Sequence, residues 1–276
     1  MTKEDLEKIL SGYTESARIQ CPECGNTRKK KTDKSMGLTV SGNETLYQCF
    51  HCGLAGKLVH PSFRPEPSKV RAISVPKETN KELVDEYLST RSIDPDKVRD
   101  FPVIGGTKFF NGAGQLSSLG FVYGEKEAVK WRSVIGKHFT QDGSAKTLWG
   151  IDQLSDDCNT LIIVEGEMDV LACASAGVRN VVSVPNGAPQ KVSKKTVDPE
   201  EDNKFSYIWA AKDLIEKVDK VILAVDSDEP GTALAEELAR RIGRAKCWSV
   251  KWPDSCKDAN DVVQKVGPEI LVKCID

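Results

Sequence analysis

Three acidic motifs follow short apolar runs in the C-terminal half of the chain. Glu165-Gly166-Glu167-Met168-Asp169 comes directly after the run 161–164, and Asp226-Ser227-Asp228-Glu229-Pro230-Gly231 directly after 221–225. Lys257-Asp258-Ala259-Asn260-Asp261 comes after a run ending near Trp252. Carboxylates brought together repel unless cations sit among them, and hard oxygen ligands select Mg²⁺ or Mn²⁺. An ion held by a few carboxylates, waters and phosphates is the usual arrangement for phosphoryl chemistry. Singly, each motif has a plainer reading: a calcium loop, a strand-to-helix turn with a solvated acid, or a helix cap. The calcium loop fails on its own terms, because its fifth position wants an oxygen ligand and here is Pro230. Three motifs in this order are harder to dismiss.

Near the other end, Cys21-Pro22-Glu23-Cys24 and Cys49-Phe50-His51-Cys52 form two Cys-x-x-Cys pairs. Each pair makes a tight turn that points two thiolates at one ion, and two such turns complete a closed, tetrahedral, structural zinc site. His51 is a conceivable ligand, but four thiolates already fill the site. The segment between the pairs, with 38–40 and 45–48 as strands, reads as the hairpin of a zinc ribbon. It is longer than usual, which places an enlarged loop at the basic run Arg28-Lys29-Lys30-Lys31. Together with Tyr47, Phe50 and His51 this run offers stacking and phosphate contacts for single-stranded bases. A solvated lysine loop on a purely structural knob is the plainer alternative. The remaining five cysteines show no ligand spacing and read as small buried hydrophobes.

The elements that must position these groups are legible in the apolar pattern. Residues 161–164, 181–184, 221–225 and 246–252 read as strands. Helices over 168–176, 207–218, 232–242 and from 261 to 266 alternate with them. That alternation predicts a parallel sheet flanked by helices. In such a sheet, ligands bind beyond the carboxyl ends of the strands, where all three acidic motifs converge. Upstream, 81–99 reads as helical and 100–150 as short antiparallel strands and turns. The first 20 residues read as a short helix with Leu6, Ile9 and Leu10 on one face. Pro61, Pro65, Pro67 and Pro76 mark an extended linker that leaves the flanking modules mobile.

A chain of 276 residues accommodates two compact units, and 29% charged residues suit a soluble globular protein. No apolar run approaches the ~18 residues that span a bilayer. The N-terminus lacks a signal-peptide core, so the expected location is the cytosol, the host cytoplasm if the chain is phage-encoded. The net charge of −2 does not announce nucleic-acid binding, but its distribution does, with basic residues at one end and carboxylates at the other.

Glu165 after one strand and Asp226-x-Asp228 after another resemble the hallmark of the TOPRIM domain. The stretch 163–170 is similar to the first such motif of bacterial and phage DNA primases. Asp226-Ser227-Asp228 with Gly231 is similar to the second. Lys257-Asp258-Ala259-Asn260-Asp261 is similar to the phage version of the third, where the last position is commonly Glu. Val129-Lys130-Trp131-Arg132 resembles the basic primase motif that contacts nucleotide phosphates, and 146–150 the segment before the TOPRIM strand. The ribbon resembles the zinc-binding domain of the same enzymes. The resemblance implies an α/β chain: an N-terminal zinc ribbon (1–60), a Pro-rich linker (61–80), an N-terminal subdomain of the primase core (81–158) and a TOPRIM subdomain with a mostly parallel sheet (159–276).

The activity so implied is synthesis of short RNA primers from ribonucleoside triphosphates on single-stranded DNA. Cys21, Cys24, Cys49 and Cys52 hold structural zinc in this reading. Asp226 and Asp228 hold catalytic Mg²⁺ or Mn²⁺, with Asp169 and Asp258 helping directly or through water. Glu165 acts as general base toward the 3′-hydroxyl or as a further ligand. Lys130 and Arg132 clamp triphosphate or template phosphate, and Asn186-Gly187 is either a nucleotide contact or a simple turn. No Gly-x-x-x-x-Gly-Lys-Ser/Thr loop occurs, so the partner helicase is expected on a separate chain or in a missing C-terminal half. Two rival classes are a TOPRIM nuclease and a non-catalytic RecR-like zinc/TOPRIM binder. The second needs a DNA-binding module before the zinc site, and only 20 residues precede Cys21.

Overall fold

The computed structural model describes residues 3–10, 12–28, 32–41, 44–59, 73, 79–194 and 196–276. The statements below concern these residues. The basic residues Lys29, Lys30 and Lys31 and nearly all of the Pro-rich segment lie outside them. The chain divides into two compact units, 1–70 and 71–276.

In the first unit, helix α1 (Lys3–Leu10) precedes an antiparallel sheet of β1 (Ala17–Ile19), β2 (Met36–Ser41), β3 (Glu44–Cys49) and β4 (Ala55–Val59), paired in chain order. Leu6 and Leu10 are buried with Ile19, Met36, Leu38, Leu58 and three of the cysteines, while Ile9 of the expected stripe faces out. This core is small, as expected of a unit whose four cysteines are suited to a metal. β4 was not anticipated; it carries Leu58 into the core.

The second unit starts with α2 (Lys81–Thr90), whose N-cap Asn80 accepts the Leu83 N–H. An antiparallel meander follows: β5 (Val103–Phe110), β6 (Gly114–Tyr123), β7 (Ala128–Ser133) and β8 (Phe139–Gly143). Then come β9 (Thr160–Val164), α3 (Glu167–Ser175), β10 (Val181–Ser183), α4 (Ser206–Ala210), α5 (Lys212–Lys217) and β11 (Lys220–Leu223). The chain closes with α6 (Glu229–Ile242), β12 (Cys247–Ser249), α7 (Ala259–Lys265) and α8 (Pro268–Ile275). The second sheet runs β10-β9-β11-β12, every pair parallel.

The continuous apolar strands have a physical reason: both sheet faces are covered. Ile162, Val164, Ile222 and Ala224 face α2, α3, α7, α8 and the meander residues Leu119, Phe121 and Tyr123. Leu161, Ile163, Val221 and Leu223 face α4, α5 and α6 through Tyr207, Ile208, Ile215, Leu234 and Leu238. Trp149 staples the two sheets together. Its backbone bridges Ser183 and its indole N–H donates to the Val122 carbonyl at 3.0 Å.

Some boundaries moved. The helix expected over 207–218 is two, broken at Ala211 where φ is −95° and ψ is 15°. α6 begins earlier than 232, because Asp228 caps it and Pro230 fits its first turn. The fourth strand pairs only over three residues at the sheet edge, with Trp248 half exposed. α3 stops where expected, just before Gly177, whose φ of +98° a side-chain-bearing residue rarely adopts.

Candidate active site

The loops after β9, β10, β11 and β12 meet the meander across a cleft of about 750 Å³. One wall carries Glu165, Asp169, Asp226, Asp258 and Asp261; the other carries Lys130, Arg132 and Lys137 with Phe121 and Phe139. β7 presents Lys130 and Arg132 to the cleft because side chains two apart share a strand face. Val129 and Trp131 point the other way, into a small core with Phe110.

The acidic wall is crowded and partly dry. Burial, and then the neighbouring Asp226 charge, push Glu165 up to about 7, while the Ala188 N–H works in the opposite direction. Its Oε2 is buried without a partner. Burial also raises Asp169 well above the carboxylate range, with the Asp258 charge adding to it. Asp169 Oδ1 accepts the Asn260 N–H at 3.0 Å. Asp226 is likewise raised, mainly by burial. The Lys257 ammonium stands between two of these acids, 3.0 Å from Asp226 Oδ2 and 2.9 Å from Asp258 Oδ2. An orphaned buried carboxylate oxygen among further carboxylates is a place short of positive charge. The hard oxygen donors on this wall therefore fit a divalent cation. They are not drawn as tight as the cysteines: among the described residues, no three carboxylates bring their oxygens within 4.8 Å of one another.

Asp228 differs from expectation. Its Oδ1 accepts the Gly231 N–H at 2.9 Å as the N-cap of α6, and it is absent from the cleft lining. An Asp at this position satisfies a helix N-terminus as readily as it binds a cation. Asp258 does both, because Oδ1 caps α7 through the Asp261 N–H at 2.7 Å while Oδ2 faces Lys257. Gly231 is where it is for a steric reason: a Cβ there would lie 2.1 Å from the Asp226 carbonyl oxygen. Gly231→Ala is therefore expected to displace Asp226 and cost about 1–3 kcal/mol in denaturant titrations, with a matching loss of cation affinity.

On the basic wall, Lys130 Nζ lies 2.5 Å from Glu167 Oε1, and the buried Tyr123 hydroxyl donates to the same carboxylate. The middle acid of the first motif thus turns away from its neighbours to hold a lysine. Arg132 donates from Nε to the Tyr87 hydroxyl at 2.8 Å, and its guanidinium lies 5.4 Å from the Phe139 ring centre. Arg91 enters through Asn260, whose Oδ1 accepts its Nε at 2.7 Å. Gly187 lines the cleft, whereas Asn186 donates to the Lys204 carbonyl. The roles of Tyr123, Glu167, Lys257, Arg91 and Asn260 were missed in the sequence. Glu167, Lys257 and Asn260 lie in motifs already singled out, but their partners are far apart in the chain and nothing local showed what each would hold.

In the first unit the four cysteine sulfurs lie within 4.8 Å of one another. Cys21 Sγ is 3.8 Å from Cys52 Sγ, and Cys24 Sγ is 3.7 Å from Cys49 Sγ. Thiolates ~2.3 Å from a tetrahedral ion stand roughly 3.8 Å apart, so the set fits zinc. Burial opposes the Cys49 thiolate. Hydrogen bonds from the Cys52 N–H, the Ser35 hydroxyl and the His51 N–H outweigh it and bring Cys49 down to about 6. Arg28 pairs with Asp33 at 2.5 Å, and His51 is exposed. Phe50 is 64% exposed under the Arg18 guanidinium, 5.0 Å from its ring centre. Tyr47 points to the other side of β3, half-buried against the core and over Gly56, so it is not open for base stacking. The open face instead carries Arg18, Thr39, Leu46, Gln48 and Lys57 from four adjacent strands, a face that the alternation of β3 would have disclosed.

A glutamate after one parallel strand and Asp-x-Asp after the next define a Toprim-type site, and residues 159–250 match the Toprim domain family. The chain is 34% identical over 270 residues to the primase homolog protein of Arabidopsis thaliana, covering 92% of this chain and 79% of that one. The chain belongs to the family of that primase homolog. It is also 34% identical over 273 residues to the chloroplastic/mitochondrial Twinkle homolog protein of the same plant, covering 92% of this chain but spanning only 38% of that protein. The primase fragment of the bacteriophage T7 primase-helicase shares the fold, with a TM-score of 0.58 at 19% identity over 95% of this chain and 99% of that one.

Proposed function

We propose that the chain is a DNA primase that joins ribonucleotides into short RNA primers on single-stranded DNA. The observation that carries this reading is one cleft with an acidic wall holding an orphaned Glu165 oxygen and a basic wall holding Lys130 and Arg132. Asp226, Asp258 and Asp169 would hold Mg²⁺ or Mn²⁺, with Asp228 reaching it through the oxygen not used as a cap. Such an ion activates the attacking oxygen and neutralises charge on the leaving pyrophosphate. Glu165, with a carboxyl near 7, takes the proton of the primer 3′-hydroxyl. Lys130, steadied by Glu167, and Arg132, steadied by Tyr87, bind the phosphates of triphosphate or template.

The first unit is proposed to hold structural zinc and to meet the template through Arg18, Gln48, Phe50 and His51, with Arg28 and the lysines 29–31 adding charge. Mass spectrometry of the native protein is expected to find one zinc per chain in the wild type and none in Cys24→Ser. The substitution should also collapse the NMR dispersion of 3–59, whose core is its own. A helicase, in the same polypeptide or separate, is the proposed partner, as the name of the phage protein joins the two activities. Among the described residues no helix is long and apolar enough to cross a membrane. An organelle is proposed in place of the cytosol expected from the sequence, following the name of the plant relative.

The test is incubation with Mg²⁺, labelled ribonucleotides and a random pool of single-stranded DNA, beside an Asp226→Ala, Asp228→Ala double variant. Short RNA that disappears in the double variant supports the primase. Metal-dependent loss of the DNA moves the reading to a Toprim nuclease.

A further inference from the structure

The cleft contains two lysines that pair with acids, and they are held differently. Lys130 is 26% exposed and is gripped by Glu167, itself fastened by the buried Tyr123 hydroxyl. Lys257 is 57% exposed, while its partners Asp226 and Asp258 are only 14% and 12% exposed. Its backbone is fixed: the Lys257 carbonyl accepts the Ser227 N–H at 2.8 Å, and its own N–H points to Asp261 Oδ2 at 3.4 Å. The side chain alone therefore reaches from solvent down to the two carboxylates. It can leave without disturbing α7 or β11.

We propose that Lys257 is a resident, displaceable counter-ion that sets how tightly the acidic wall takes a divalent cation. The inference rests on the reading of that wall as the metal site. An ion bound ~2.1 Å from the Asp226 and Asp258 oxygens would lie within a few ångströms of an ammonium at 2.9–3.0 Å from the same oxygens. Two cations that close repel, so one replaces the other. Without the divalent ion, Lys257 relieves repulsion among Glu165, Asp169, Asp226 and Asp258 and helps the loops after β11 and β12 to stay together. With it, the lysine is a competitor.

This gives one substitution two opposite effects. Lys257→Met should lower the melting temperature in chelator yet tighten Mn²⁺ binding by about tenfold or more. A lysine of merely structural value would weaken both. The experiment titrates Mn²⁺ alone into the zinc-loaded full chain, followed by electron paramagnetic resonance, for the wild type, Lys257→Met, Lys257→Gln, Lys257→Arg and Asp226→Asn. Tighter binding in Lys257→Met or Lys257→Gln, wild-type-like binding in Lys257→Arg and loss in Asp226→Asn are the expected results. Unchanged or weaker binding in both neutral variants, with loss in Asp226→Asn, overturns the role of Lys257 and leaves the metal site standing. Undiminished binding in Asp226→Asn overturns both. The Gln variant keeps a polar side chain should the Met variant fold poorly.

Discussion

Glu165→Gln is expected to cut the rate of primer synthesis by about 10²–10⁴-fold, the range set by removing a positioned general base, while making the metal-free protein more stable. The second half follows from the sign of the shift. Burial and the Asp226 charge raise the Glu165 carboxyl to about 7, above its ordinary value. The folded state therefore binds that proton more tightly than the unfolded chain does. Stability is lost as pH rises from the ordinary carboxylate range toward 7, and the loss is complete above it. Glutamine has no charge to lose solvation for, so the variant should melt above the wild type at pH 8 and with it near pH 4. A saturating divalent cation should narrow the gap at pH 8, because it supplies the partner that Glu165 Oε2 lacks. Thermal melts at both pH values, in chelator and in Mn²⁺, check all of this. A glutamine variant that is less stable at pH 8 would mean the carboxylate is satisfied in some other way.

The position of this strained acid was readable from sequence because its strand had to be apolar on both faces. Residues 161–164 alternate between the two cores, so no polar residue interrupts them, and the first acid after the run lies at the strand end. The same holds for Asp226 after Val221 and Leu223. Where a strand is only half covered the signal blurs: 246–252 looked like a full strand, but only Cys247–Ser249 pairs with β11. Side-chain direction was less legible still. Asp228 sits in a motif that suits cation binding and in a sequence position that suits capping, and only the packed helix shows that one oxygen is spent on Gly231. Tyr47 looked like a stacking residue by type, but strand parity turns it inward. Pairs such as Lys130 with Glu167 or Arg91 with Asn260 join distant segments and leave no periodic trace.

The largest stability effect is expected far from the acidic wall, at Arg241. This guanidinium is 5% exposed and lies 2.5 Å from Glu237 Oε2, itself 1% exposed, and 2.6 Å from Asp202 Oδ2. Arg241→Ala takes from Glu237 and Asp202 their nearest cation, leaving Glu237 with Arg240 at 3.3 Å and the Ser193 N–H, and should cost about 3 kcal/mol, or about 10 °C in melting temperature. Replacing Arg241 and Glu237 together by Met and Leu should recover much of that, since the buried Glu237 charge goes too; Asp202 keeps the Trp209 indole N–H at 3.0 Å. Burial works to raise Asp202, but the Arg241 hydrogen bonds outweigh it and hold its carboxyl low. Its contribution is therefore present above about pH 4 and is lost as pH falls through the lowered value, so the wild type and Arg241→Ala should converge in acid. The effect also reaches the cleft. Glu237 accepts the Ser193 N–H and Arg240 donates to the Ser193 carbonyl, so this helix pins the loop that leaves β10 past Gly187 and Ala188. The Ala188 N–H, together with the Lys257 charge, works against burial to hold Glu165 down. A loosened loop withdraws that N–H, and the acid limb of the pH–rate profile should move to higher pH in Arg241→Ala at a temperature where the variant is still folded. A limb that stays in place would show that Arg241 braces the fold without reaching Glu165.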